Sequence, residues 1–189
     1  LGCGVALIST DAVFDGRKAT PYLEMDEPNP ISVYGQTKFD AERTTQRLDR
    51  HWIFRVSVLF GPGKLNFIDK GLRKIANAEE YFVASDQIGC ATYTLDAARI
   101  IEQVITSANY GVYHLSNQGQ CSRLELARKA AEIAGVDANK VKGMPLDEMN
   151  RPGPRPKKTV LEMRALRDFG FGLPPHWEHA LEEYIRSSR

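Results

Sequence analysis

Val5-Ala-Leu-Ile-Ser-Thr-Asp11, followed after a loop by Tyr34-Gly-Gln-Thr-Lys38 and then by Trp52-Ile-Phe-Arg-Val-Ser-Val-Leu59, decides the fold class. The first run is continuously apolar and ends on hydroxyls and a carboxylate, the pattern of a short buried strand from Val5 to Ser9. Asp11 to Pro30 has no period and is rich in Asp, Gly, Pro and Glu, which predicts a loop. From about Tyr34 to Leu48 the spacing of Tyr34, Lys38, Ala41 and Thr45 predicts a helix. Trp52 to Leu59 predicts the next strand, stopped by Gly61-Pro62-Gly63.

The same alternation continues to the C-terminal side. Phe67, Ile68, Leu72 and Ile75 recur at helical spacing, and Tyr81 to Val83 reads as a strand. Asp86 to Tyr93 reads as a loop, and Thr94 as the N-cap of a helix carrying Leu95, Ala98, Ile101 and Ile105. After a strand at Val112 to Leu115, Ser122-Arg-Leu-Glu125 has the spacing of a capping box for a helix that ends at Gly135. Met144 to Lys158, with four prolines, reads as a surface loop, and Pro174-Pro175 precedes an amphipathic helix from Trp177 to Ile185. Strands alternating with helices predict an α/β layer structure with a parallel sheet.

Composition narrows the function classes. The 25 basic and 24 acidic residues nearly cancel and form no long run of one sign, so nothing electrostatic favours nucleic acid or an anionic membrane as partner. No apolar stretch approaches the length of a membrane span. The cysteines, Cys3, Cys90 and Cys121, are odd in number and far apart, which suits neither a disulfide framework nor a zinc site and fits a reducing, cytoplasmic setting. His176 and His179 lie one helical turn apart with no third ligand near in sequence, so they read as a surface pair and no metal is expected.

The chemistry concentrates in the opening stretch. Tyr34 and Lys38, four apart, share a helix face. A free phenol ionises near ~10, and an ammonium beside it favours the phenolate, bringing Tyr34 toward general acid-base work. A hydroxyl at the end of the preceding strand can hydrogen-bond a carbonyl oxygen and stabilise charge that develops there. Tyr-x-x-x-Lys alone is common. Its place here, between a hydroxyl-ended strand and an apolar strand ending in Phe60-Gly61, favours catalysis over an exposed helix pair.

With these residues in view, the chain resembles the extended short-chain dehydrogenase/reductases, and among them the dTDP-4-dehydrorhamnose reductases. The similar segments are Ile8-Ser-Thr-Asp-Ala-Val-Phe-Asp-Gly16, Asn29-Pro-Ile-Ser-Val-Tyr-Gly-Gln-Thr-Lys38, Arg55-Val-Ser-Val-Leu-Phe-Gly61, Asp86-Gln-Ile-Gly89, Gly111-Val-Tyr-His-Leu115 and Arg155-Pro-Lys-Lys-Thr-Val-Leu161, in the family's order. The resemblance implies a partial doubly wound, Rossmann-type sheet lacking its first strands, with a small C-terminal α/β substrate-binding region. On this reading residues 1–85 form the rear of the sheet domain, and residues 86–189 return partly to the sheet and build the substrate region. The chain begins with Leu1 on the doorstep of a strand, and no Gly-rich phosphate loop is visible; the resemblance places about a hundred residues upstream. The strand at Val5 to Ser9 is then expected to present an unpaired edge in the isolated chain.

The resemblance assigns Thr10 as the carbonyl-binding hydroxyl, Tyr34 as the acid and Lys38 as its partner. Ser9, Tyr34 and Lys38 are expected at a nicotinamide cofactor, NADP or NAD, and Asp11, Ala12, Val58, Gln87 and Arg155 at the sugar nucleotide. Arg151, Arg155, Lys157 and Lys158 form a basic group that either holds the diphosphate or is simply solvated, and Cys90 is expected to line the sugar pocket. The implied reaction is NAD(P)H-dependent reduction of a nucleotide-linked 4-keto-6-deoxysugar, by a homodimer. Three positions depart from the family pattern: Ala12 replaces a usual Tyr, Val58 a usual aromatic and Ala91 a usual Pro. Two other readings compete. One is a nucleotide-sugar epimerase or dehydratase, although a dehydratase adds an acidic pair where Asp11 is followed by Ala12. The other is a non-catalytic, partner-binding relative resembling the regulatory subunit of methionine adenosyltransferase, which the intact Thr10, Tyr34 and Lys38 oppose.

Overall fold

In the computed structural model, which describes residues 3–187, the first apolar run forms strand β1 (Val5–Thr10). The loop after it opens with a single tight turn, Asp11–Val13, whose entry is held by the Thr10 hydroxyl accepting from the Ala12 amide at 3.2 Å. Helix α1 (Val33–Thr45) begins at Ser32, whose hydroxyl caps the Gly35 amide, and ends three residues before the predicted Leu48. The predicted strand at Trp52 to Leu59 is split into β2 (His51–Val56) and β3 (Leu59–Phe60). The cause is Val58, at φ 28°, a left-handed backbone that a β-branched residue rarely adopts and through which an extended strand cannot run.

Helix α2 (Phe67–Ala76) starts with an Asn66/Asp69 capping box and leads to β4 (Tyr81–Ala84). The segment from Asp86 to Tyr93 is not all loop: it holds β5 (Ile88–Gly89) and β6 (Thr92–Tyr93). Thr94 is the first residue of α3 (Thr94–Ile105), not its cap; Tyr93 takes that position without a side-chain cap. Then come β7 (Gly111–His114), β8 (Cys121–Ser122) and α4 (Arg123–Ala134). The predicted capping box is present in both directions, Glu125 N–H to Ser122 Oγ at 3.0 Å and Ser122 N–H to Glu125 Oε2 at 2.7 Å, and Gly135 closes the helix at φ 67°. A strand that the periodicity did not mark, β9 (Val141–Met144), precedes the proline-rich stretch, which ends in β10 (Lys158–Thr159). The short α5 (Arg164–Asp168) and α6 (Trp177–Ser187) follow.

The main sheet is parallel, in the order β1–β2–β7, with Val5 facing His51 through to Thr10 facing Val56, and Trp52 facing Gly111. Alternation along β2 sorts its two faces. Trp52, Phe54 and Val56 pack under α3 and α5, while Arg55 points the opposite way, to α1. Among the described residues nothing pairs with the second edge of β1, and Val5 and Ile8 are 38% and 41% exposed. A second layer group joins β4 to β9 in parallel and packs α2, α4 and α6 around Ile68, Leu126, Leu181 and Tyr184. The two groups interleave along the chain. β10 pairs with β5 while Tyr22 of the early loop bridges Leu161, so the C-terminal segment is laced back to the end of β1. Among the described residues no helix is long and apolar enough to cross a membrane.

Candidate active site

The first turn of α1 approaches the end of β1 because residue 35 has no side chain. A Cβ on Gly35 would stand 2.2 Å from the Ala12 carbonyl oxygen, so any larger residue would push the helix off the Asp11–Val13 turn. This contact brings Tyr34, 58% exposed, to the same cavity wall as Thr10. Lys38, one helical turn on, donates from Nζ to the Ile8 carbonyl at 2.6 Å. Its ammonium is thereby pinned over β1. Glu42, another turn on, is sealed from solvent and receives Arg55 through Nε at 3.1 and 3.2 Å and Nη2 at 2.7 Å.

Ser9 sits at the same strand end but turns inward. Its side chain is buried and its hydroxyl donates to Glu42, so this residue braces the helix and spends its one hydroxyl proton there. Thr10, the next residue, faces the cavity, and its hydroxyl points to Asp11 Oδ1 at 3.2 Å. Asp11 Oδ2 accepts from both Ser57 Oγ and Thr159 Oγ1, each at 2.6 Å.

A cavity of about 380 Å³ gathers Thr10, Asp11, Ala12, Tyr34, Gln87 and Arg155, six of the residues singled out from the sequence, with Ser32, Arg123 and Thr159. A second lobe of about 240 Å³ is lined by Val58, Arg151 and Phe67, and shares Gln87, Arg123 and Arg155 with the first. The basic group of the proline-rich segment is thus divided. Arg151 and Arg155 face the groove, whereas Lys157 is paired with Asp147 at 2.6 Å and Asp86 at 3.1 Å, and Lys158 donates to the Ala19 carbonyl at 2.6 Å. Arg123 joins the two groove arginines. Burial holds its pKa below the usual guanidinium range. Three arginines around one groove make a site for an anion such as a diphosphate.

Cys90 does not line this groove. It is packed among Val13, Phe14, Tyr22 and Leu161, and burial pushes its thiol pKa up, which makes it a poor nucleophile. The His176 ring lies against Trp177, its Nδ1 accepts from the Glu178 amide at 3.4 Å, and the described residues contain no cluster of three or more His, Cys, Asp or Glu able to hold a metal. Sequence reasoning missed Arg123, Ser57 and Thr159. Arg123 was visible only as the second residue of a capping box, and Ser57 and Thr159 lay unremarked inside similar segments.

The family model for the RmlD substrate binding domain matches residues 1–189. Spore coat polysaccharide biosynthesis protein SpsK of Bacillus subtilis (strain 168) is 35% identical over 187 residues, spanning 98% of this chain and 65% of that protein. The dTDP-4-keto-6-deoxy-D-glucose reductase of Streptomyces niveus is 35% identical over 178 residues, spanning 93% and 62%. The crystal structure of dTDP-4-dehydrorhamnose reductase from Bacillus anthracis str. Ames in complex with NADP has a TM-score of 0.94 at 35% identity, over 98% of this chain and 66% of that one. The chain therefore spans just under two thirds of the length of these relatives.

Proposed function

Because this chain belongs to the RmlD substrate-binding domain family, we propose that it carries the active site of an NAD(P)H-dependent reductase of nucleotide-linked 4-keto-6-deoxysugars. The observation that carries the reading is the single cavity in which the Thr10 hydroxyl, the Tyr34 phenol and the guanidinium-lined groove meet. A sugar carbonyl between Thr10 and Tyr34, with its diphosphate among Arg123, Arg151 and Arg155, uses each of these groups for what its chemistry does best.

The residues at the mouth of the cavity fit a nicotinamide nucleotide. Tyr34 is accessible, and Lys38, on the same helix face, holds a cation over β1, so ribose hydroxyls can meet a donor in the ammonium and a donor or acceptor in the phenol. When bound, the nicotinamide supplies the hydride that reduces C4 of the sugar. Thr10 orients the carbonyl and stabilises negative charge on its oxygen, and Tyr34 delivers the proton that converts the alkoxide to a hydroxyl. The NADP complex of the Bacillus anthracis relative supports NADP as the cofactor. The names of the relatives support a dTDP-linked substrate.

The test is turnover by the full-length protein of a panel of dTDP-4-keto-6-deoxysugars, followed by loss of NADPH or NADH absorbance. Reduction of at least one sugar is expected. Failure with every sugar and both cofactors would leave a binding role for the same groove and defeat the reductase reading.

A further inference from the structure

Three chain segments meet on one carboxylate oxygen beside the cavity. Asp11 Oδ2, at the end of β1, accepts from Ser57 Oγ, just past β2, and from Thr159 Oγ1, on β10, both at 2.6 Å. Ser57 and Thr159 are buried, and Gly89 of β5 lies beneath them, where a Cβ would stand 3.2 Å from Ser57 Oγ. Each hydroxyl has one proton to give. With Asp11 ionised, both of those protons are directed at Oδ2, and that oxygen is saturated.

The consequence falls on Thr10. Its hydroxyl reaches only the other oxygen, Oδ1, at 3.2 Å, beyond the ~2.5–3.0 Å typical of an O–H···O bond. One of its lone pairs is held by the Ala12 amide, also at 3.2 Å, which fixes where the oxygen sits without engaging its proton. A carboxylate already receiving two short hydrogen bonds is a weaker acceptor for a third. The Thr10 proton is therefore loosely held and free to turn to a carbonyl oxygen in the cavity.

We propose that Thr159, together with Ser57, is a positioning residue for the reduction: by saturating Asp11 Oδ2 the two hydroxyls keep the Thr10 proton available to the substrate carbonyl. This inference rests on the reductase reading above. It also gives β10 a role at the reacting centre, although Thr159 lies 148 residues from Asp11 in sequence.

The experiment is steady-state kinetics of the full-length enzyme with a 4-keto sugar that the wild type reduces, alongside dTDP affinity and thermal midpoint, for Thr159→Val, Thr159→Ser and Ser57→Ala. Thr159→Val keeps the shape and removes the hydroxyl. It should lower kcat about tenfold, the size of one charge-assisted hydrogen bond, with KM and dTDP affinity within about twofold of wild type. Thr159→Ser should restore kcat to within about twofold of wild type. Ser57→Ala attacks the same carboxylate oxygen from the other side and should show the same kcat loss, which covers the case of a Val variant that does not fold. An unchanged kcat in both hydroxyl-free variants, a loss that falls on KM or dTDP affinity, or a loss that Ser does not repair overturns the inference. A wild type that reduces none of the sugars defeats the reductase reading itself, and the inference with it.

Discussion

Glu42 on α1 and Arg55 on β2 form a fully buried ion pair, with Nη2 2.7 Å from Oε2 and Nε bridging both carboxylate oxygens. The Ser9 hydroxyl adds to the carboxylate, and the Arg55 guanidinium lies 5.0 Å above the Phe14 ring. Tyr34, Lys38 and Glu42 follow one another at intervals of four, so they share a helix face. Anchoring Glu42 to two strands sets the rotation of α1, and that rotation aims Tyr34 at the cavity.

Removing one partner of this pair should be costly. Glu42→Gln leaves the Arg55 charge buried without its counter-ion and should destabilise the full-length protein by about 3–5 kcal/mol. Replacing both, Glu42→Leu with Arg55→Met, should cost markedly less. Denaturant titration of the two variants checks this, and equal losses would show that burial of the pair is not the governing factor.

Tyr34→Phe should lower turnover by about 10²-fold or more with the fold intact, because the proton donor is lost. Lys38→Met should impair turnover and also weaken cofactor affinity. Near-normal rates in Tyr34→Phe would remove this residue from the chemistry.

Ala12 lines the larger lobe of the groove and Val58 the smaller. With small side chains at both, the site should accept a bulkier or differently substituted sugar than one walled by aromatics. Ala12→Tyr combined with Val58→Trp should therefore shift preference across a substrate panel. An unaltered ranking of substrates would place these positions outside sugar contact.

Arg123→Gln and Arg155→Gln should each raise KM and weaken dTDP binding by about tenfold, through loss of a charge-assisted contact to the diphosphate, and leave kcat nearly unchanged. Titration calorimetry with dTDP reads the effect directly. Wild-type affinity in both variants would mean that the groove arginines do not hold the diphosphate.

His114 gives a pH signature. Burial, and then the Arg55 charge, press its pKa from 6.5 down to about 3, so the ring is neutral in the fold. Between those values the unfolded chain binds the extra proton. Stability from this group is thus complete above about pH 6.5 and lost as pH falls toward 3, at a limiting rate of about 1.4 kcal/mol per pH unit. Glu24 acts in the opposite sense, since burial holds its carboxyl above the ordinary range. Urea unfolding at pH 7.5 and 5.5 should show a loss in wild type that is smaller in His114→Leu. Equal losses would assign the pH dependence elsewhere.

Much of the site was legible because its signals are local. Tyr34 and Lys38 are a helical repeat, Thr10 ends an apolar run, and Ser122 with Glu125 is a cap spaced by the helix itself; each depends on residues within one or two turns of each other. The split of the second strand was not legible, because nothing in Val-Ser-Val announces that Val58 adopts φ 28°. The two-residue strands β5, β6, β8 and β10 are too short to show a period and exist only through the partners they pair with.

The amino-acid sequence by itself determined the α/β alternation, the strand from Val5 to Ser9 that leads into Thr10 and the helix that presents Tyr34 and Lys38, since backbone propensity and side-chain period act over a few residues. Only the tertiary structure decided which of the basic residues in the proline-rich segment face the groove, that Ser9 braces Glu42, and that Thr159 closes on Asp11. The last two of these join residues 33 and 148 positions apart, and they are set by which buried polar group each chain segment must satisfy once it is packed.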